Sequence, residues 1–290
     1  MNTYRIITDS CCDLSQEMAD ELELLVAPLT ANYKGKDVRN FLDGRELDSK
    51  EFYQALRDGE MTTTAAANPA LWQSYIEPVL KEGLDVLVLA FSSGLSTTYN
   101  AACIAAEELK ETYPDRKIYV VDTLCASMGQ GLFCWYVANL KKNGATLEEA
   151  RDYAEANKLR LAHWFTVEDL HFLKRGGRVS AATAVVGSLL QIKPVLHVDN
   201  DGHLIAKAKV RGRKASIQAL ADKVGELCEN PSEQTMGISH GDCLEEAEYL
   251  AKLLKETYHV PEVIINTIGP VIASHSGPGT LAVFFMGKER

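Results

Sequence analysis

Apolar positions along the chain fall into short unbroken runs that alternate with stretches repeating every three or four residues. The clearest case is Asp85 to Leu109, DVLVLAFSSGLSTTYNAACIAAEEL. Val86 to Phe91 is an unbroken apolar run of the kind found in strands buried on both faces. Ser92, Ser93 and Gly94 interrupt it, and Leu95, Tyr99, Ala102, Ala106 and Leu109 then recur at helical spacing. A strand, a turn and a helix opening at Leu95 are predicted. The first amides of such a helix lack intrahelical acceptors and lie at the positive end of its dipole. The two serine hydroxyls are therefore expected at a mouth suited to an anion or a carboxylate.

The alternation extends both ways. Tyr4–Thr8 predicts a strand, followed by a polar turn with Asp9, Ser10 and Asp13 and a helix over about 15–24. The apolar run Leu25–Tyr33 leads to Lys34-Gly35-Lys36, a predicted hairpin turn. Asp48 with Glu51 predicts a capped helix facing inward through Phe52 and Leu56 and ending at Asp58-Gly59. Residues 61–69, MTTTAAANP, lack periodicity and are read as a loop. A helix from Ala70 to Lys81, bent or shortened at Pro78, closes at Gly83. Ile118–Val121 predicts a strand ended by Asp122, ASMGQG at 126–131 opens a helix, and Thr146 with Glu149 forms a capping box for a helix to about Leu161. This order predicts an α/β domain over residues 1–162, with a mostly parallel sheet and helices on both faces.

From His163 the pattern changes. WFTVEDL reads as a strand, LHFLKRGGRVS as a segment with two glycines between basic residues, and 181–191 as a small-residue helix. Asp199-Asn200-Asp201-Gly202 predicts a hairpin between a run ending at His197 and Leu204–Val210. Helices over about 213–229 and 244–257 alternate with strands Met236–Ser239 and Val263–Thr267. GPVIASHSGPGTLAVFFMG reads as strand, Gly-Pro-Gly turn, strand. An α+β domain with a mixed or antiparallel sheet is expected over 163–290, packed closely on the first because no repeat or low-complexity linker divides them.

Composition narrows the function. A chain of 290 residues can enclose a small molecule. Thirty basic against 40 acidic side chains, a formal charge of −10, argue against nucleic acid or an anionic membrane surface as a general partner. No run approaches the ~20 apolar residues of a spanning helix, and the acidic N-terminal segment does not read as a leader, so a cytoplasmic location without stable membrane insertion is expected. Seven cysteines, none in a CxxC pair, read as reduced buried thiols. No GxGxxG after a strand, phosphate loop, HExxH or Cys/His cluster occurs, so neither metal nor cofactor is expected.

The remaining candidates are single residues. GxSxG is absent, yet Ser93 could act as a nucleophile with a distant histidine as base, which makes a serine hydrolase or acyltransferase one reading. His275 is the histidine best placed for it, beside the flexible turn Ser276-Gly277-Pro278-Gly279. No carboxylate is evidently placed to orient it. Two basic clusters, Lys174–Arg178 and Arg211–Lys214, are either solvated charge or a local site for phosphate or an acidic partner, which leaves a protein-interaction module open.

TDSCCDLS, the Thr-rich loop ending at Pro69, SSGLSTTYNAA, LKRGGRVS, LLQIKPVL and HSGPGTLAVFF, in this order and spacing, resemble the DegV family, whose members include the fatty-acid-binding subunits of bacterial fatty acid kinase. The resemblance spans essentially the whole chain. It implies a two-domain α/β protein with a long-chain fatty acid in a cleft, its acyl chain buried and its carboxylate held by hydroxyls. It also implies a carrier rather than an enzyme: a separate ATP-using kinase subunit would convert the presented acid to an acyl-phosphate for phospholipid synthesis. By the same resemblance Thr64, Ser93 with Ser92, and His275 match the carboxylate-binding positions, and Arg178 and Arg211 match partner or phosphotransfer positions. Two departures stand out. Ala65-Ala66-Ala67-Asn68 replaces the usual Ser-Gln-Pro-Ser, and Thr97 stands where a glycine is usual. They imply a different chain preference or kinase partner. At ~0.8 kcal/mol per buried CH₂ a sixteen-carbon chain contributes roughly 12 kcal/mol before ordering costs, so the head group need not dominate affinity.

Overall fold

The computed structural model describes residues 3–180 and 191–290. The helix expected over 181–191 lies outside the described residues except for Gln191.

The first half runs β1 (Tyr4–Asp9), α1 (Gln16–Glu21), β2 (Leu24–Ala27), β3 (Thr30–Tyr33), β4 (Lys36–Arg39), α2 (Ser49–Arg57), β5 (Thr63–Ala65), α3 (Pro69–Lys81), β6 (Asp85–Ala90), α4 (Thr98–Thr112), β7 (Ile118–Asp122), α5 (Met128–Lys142) and α6 (Leu147–Asn157). Strands β2-β1-β6-β7 form a parallel sheet. The unbroken apolar run of β6 serves both faces. Val86 and Val88 pack with Trp72 and Ile76 of α3 and Ala102 of α4, whereas Leu87 and Leu89 pack with Leu132 and Phe133 of α5.

Two stretches differ from expectation. The run 25–33 is two strands, β2 and β3, separated at Pro28. The expected loop at 61–69 contains β5, which pairs with β3 so that Thr64 lies opposite Ala31. A short run of threonine and alanine has no period to reveal it; the edge of β3 supplies the partner. On its other side β3 forms the predicted hairpin with β4, in which Lys34 and Gly35 both adopt the left-handed conformation (φ 49° and 74°).

The second half runs β8 (Leu161–Thr166), α7 (Leu170–Arg175), β9 (Ile192–Val198), β10 (Leu204–Arg211), α8 (Arg213–Leu227), β11 (Thr235–His240), α9 (Leu244–Tyr258), β12 (Glu262–Thr267), α10 (Pro270–Ser276) and β13 (Leu281–Met286). The sheet order is β10-β9-β8-β13-β11-β12, antiparallel except for the parallel pair β11–β12. The expected α/β fold with a parallel first sheet and a mixed second sheet is therefore present. Segment 270–276 is a helix, not the strand read from its apolar residues. Pro270 sits in its first turn, where a missing N–H costs nothing.

α5 is shared. On one side it packs on β6, and on the other it joins Phe165, Leu196 and Phe284 of the second sheet in one continuous core. Its glycines permit this: a Cβ on Gly129 would lie 2.2 Å from His163 Nε2, and one on Gly131 2.4 Å from the Cys12 carbonyl oxygen. α8 and α9 cover the opposite face of the second sheet through Leu220 and Leu250.

The polar turn after β1 ties these layers together. Asp9 Oδ1 accepts from the Cys11 amide (3.0 Å), and Oδ2 accepts from the Phe91 amide (2.9 Å) and Gln130 Nε2 (3.1 Å). Asp13 Oδ1 accepts from the Gly269 amide at the start of α10 (2.9 Å), and Oδ2 accepts from Ser127 Oγ (2.5 Å). Ser15, not these aspartates, caps α1.

Burial raises both aspartates, and Asp13 reaches about 7. A carboxyl near 7 in the fold and near 3.8 in the unfolded chain keeps its proton longer when folded. Its contribution to stability is fully present below 3.8 and is lost as pH rises towards 7, by on the order of 4 kcal/mol. Asp13→Asn can keep both hydrogen bonds and should flatten this dependence. Urea midpoints of both proteins across that window check it; equal slopes would refute the assignment.

Candidate functional site

A cavity of about 510 Å³ lies beyond the carboxyl ends of three neighbouring parallel strands. Cys11 follows β1, Phe91 and Ser93 follow β6, and Ala126 and Ser127 follow β7. Open α/β sheets bind ligands at this end, because the loops there are free to carry side chains. Phe165, Ala282 and Phe284 of the second sheet form the facing wall, and Val271, Ile272 and His275 of α10 line one side. The cavity is of the size and apolar character that encloses most of a small ligand.

Its mouth assembles four of the expected residues from four segments. β5 presents Thr64, the turn after β6 presents Ser93, the segment just after α7 presents Arg178, and the last turn of α10 presents His275. His275 Nε2 and Thr64 Oγ1 are 2.8 Å apart. Gly176 makes room for the ring, since a Cβ there would lie 2.2 Å from His275 Nδ1. Burial, then Arg178 and Arg175, push the imidazole down to about 4, so it is neutral at physiological pH. Arg178 is half-buried, and its Nη1 and Nη2 donate to the carbonyl oxygens of Gly176 and Leu95 rather than to a carboxylate.

The Ser-Ser-Gly turn differs from the expected helix mouth. α4 begins at Thr98, not Leu95, and residues 92–97 form a turn ahead of it. Leu95 N and Ser96 N donate to the Ser92 carbonyl oxygen, Ser93 N donates to Asp122 Oδ1 (3.2 Å), and Gly94 N donates to Ser92 Oγ (3.2 Å). The amides of Ser93 and Gly94 are therefore engaged within the protein, and the uncapped start of α4 lies at Thr97. Ser92 is fully buried, and its hydroxyl donates to the Gly202 carbonyl oxygen (3.0 Å), fastening the β9–β10 hairpin to the turn. Arg211 is exposed at the end of β10 and does not line the cavity.

Ser96, Thr97, Ser127, Ser239 and Ser276 also line the cavity and were not among the expected binding residues, although Thr97 was noted as replacing a glycine and Ser276 as part of a turn. Ser127, Ser239 and Ser276 come from distant segments with no shared spacing.

A serine–histidine relay is not formed. The imidazole is engaged by Thr64, its Nδ1 has no hydrogen-bond partner among the described residues where a carboxylate would orient it, and its basicity is depressed. The arrangement suits binding an anionic head group beside an apolar chamber.

Residues 3–288 match the family model described as DegV family. A DegV domain-containing protein of Clostridium perfringens is 45% identical over 290 residues, covering 100% of this chain and 99% of its own length. Among solved structures, a fatty-acid-binding DegV family protein from Thermus thermophilus is 30% identical with a TM-score of 0.87, covering 98% of this chain and 99% of its own. A DegV lipid-binding protein from Thermotoga maritima is also 30% identical, with a TM-score of 0.85 and 99% of both chains covered.

Arg178→Gln removes a neighbouring positive charge and should raise the His275 pKa from about 4. NMR titration of the imidazole ring protons measures this, and an unmoved titration would contradict the electrostatic account of the mouth.

Proposed function

The chain belongs to the DegV family, and we propose that it binds a long-chain fatty acid in the cavity and presents its carboxylate at the mouth to a separate ATP-dependent kinase subunit. DegV-family structures bind fatty acids. The observation that carries the reading is an apolar cavity whose mouth holds a half-buried guanidinium with no acidic partner among the described residues. An arginine in that setting gains most from an anion supplied from outside.

Thr64, Ser93 and His275 supply hydroxyl and imidazole contacts to the carboxylate, and Arg178 adds charge. Arg178 uses two of its five N–H donors on the carbonyl oxygens of Gly176 and Leu95, and the remaining donors face the acid. Ser92 positions Ser93 by fixing the turn. Arg211, exposed and away from the mouth, is assigned to the kinase interface. The ligand is the acid itself, with no resident cofactor. Among the described residues no helix is long and apolar enough to cross a membrane.

Native mass spectrometry of the protein purified from bacterial cells should show a bound long-chain acid; a ligand-free protein that also takes up no added acid would refute the reading. Arg178→Gln should weaken binding roughly tenfold or more, the worth of one charge-assisted hydrogen bond. Ser93→Ala and His275→Ala should lower kinase-dependent phosphorylation of the bound acid more than they weaken acyl binding. Unchanged phosphorylation in both would remove these residues from the site.

A further inference from the structure

The cavity wall carries a pair of hydroxyls far from its mouth. Ser127 Oγ and Ser239 Oγ lie 2.8 Å apart, and both residues line the cavity. Their depth follows from α10. Ser127 Oγ shares the Asp13 carboxylate with the amide of Gly269, the residue before the helix, whereas His275 lies six positions on, roughly 9 Å along the axis. The pair therefore flanks the body of a bound acyl chain, not its head.

Hydrogen-bond order leaves this pair incomplete. Above about pH 7, where Asp13 is ionised, Ser127 gives its one hydroxyl proton to Asp13 Oδ2 at 2.5 Å, so the contact between the serines is made by the Ser239 proton donating to Ser127 Oγ. Among the described residues no donor reaches the lone pairs of Ser239 Oγ. His163, the neighbouring polar ring, cannot help: its Nε2 accepts from the Ala126 amide (3.2 Å) and its Nδ1 lies 2.9 Å from the Leu161 carbonyl oxygen. Ser127 is held at φ 54°, ψ −146°, a backbone conformation that is unfavourable for a residue with a Cβ and that clusters at ligand sites. A plain hydrocarbon chain would leave that acceptor capacity unused.

We propose that Ser127 and Ser239 form a subsite for an oxygenated acyl chain, a long-chain acid bearing a hydroxyl on its middle carbons, with the chain hydroxyl donating to Ser239 Oγ. A keto group offers no proton and does not fit, and a charged substituent would be buried in an otherwise apolar chamber. The inference rests on the fatty-acid reading above and refines its substrate class.

The test uses the delipidated full-length protein and octadecanoic acid in competition with a positional series of its monohydroxy derivatives. Binding of octadecanoic acid is measured first, so failure of the fatty-acid reading shows as no uptake of any acid. One or a few adjacent mid-chain isomers should bind roughly tenfold more tightly than the unsubstituted acid, the worth of one hydrogen bond to an otherwise unsatisfied group. Ser239→Ala should bring the ratio close to one, and Ser239→Thr, which keeps the hydroxyl, should retain a preference. A wild-type protein that favours no isomer, or a Ser239→Ala variant with an undiminished ratio, overturns the proposal.

Discussion

Everything in this molecule depends on one helix serving two sheets. α5 touches β6 on one side and the inner face of the second sheet on the other, and the absence of side chains at Gly129 and Gly131 sets how close these layers come. Contact that close fixes the sheets along the length of the helix. It cannot extend past the N-terminus, where Ala126 and Ser127 turn out of β7. The cavity is the space left there, floored by strand ends and closed laterally by α10. Its apolar walls are a by-product of the same core, since alternate residues of β8 and β13 face inward along its whole extent.

Carboxylates hold the loops that edge this space. Asp9, Asp13 and Asp122 each follow or end a strand and each accept backbone amides from another loop. An apolar residue in these places would leave buried amides unpaired, which costs more than burying a hydrogen-bonded carboxyl. The acids near the site thus look outward from the ligand, into the scaffold, and the cation Arg178 looks inward. That opposite orientation gives an acidic protein a mouth receptive to an acid.

Most of the first half was legible because its signals are local: the β6 run, the Lys34-Gly35 turn, and the Asp48 and Thr146 caps all act within a few residues. The failures share a cause. β5 has no period of its own and exists through β3. α10 is seven residues of mixed apolar character, too short for helical spacing to show, and the start of α4 moved because Ser92, Asp122 and Gly202 compete for the turn. Ser93, His275 and the basic cluster holding Arg178 stood out from their local turns, but only resemblance to a family added Thr64 and joined the four into one site, since no spacing connects them. Ser127 and Ser239 had no such guide, because what joins them is a hydrogen bond across 112 positions of chain.

The order of strands in the second sheet bears on the protein's synthesis. β13, last in sequence, lies between β8 and β11 in the middle of that sheet, and Thr64 meets His275 across 211 positions. Until β13 emerges, β8 and β11 each present an open edge. A nascent chain therefore has no half-built second sheet closed around the cavity. Acquisition of the site coincides with completion of the fold, and the interval before it is the period in which these edges are most exposed to mispairing with other chains.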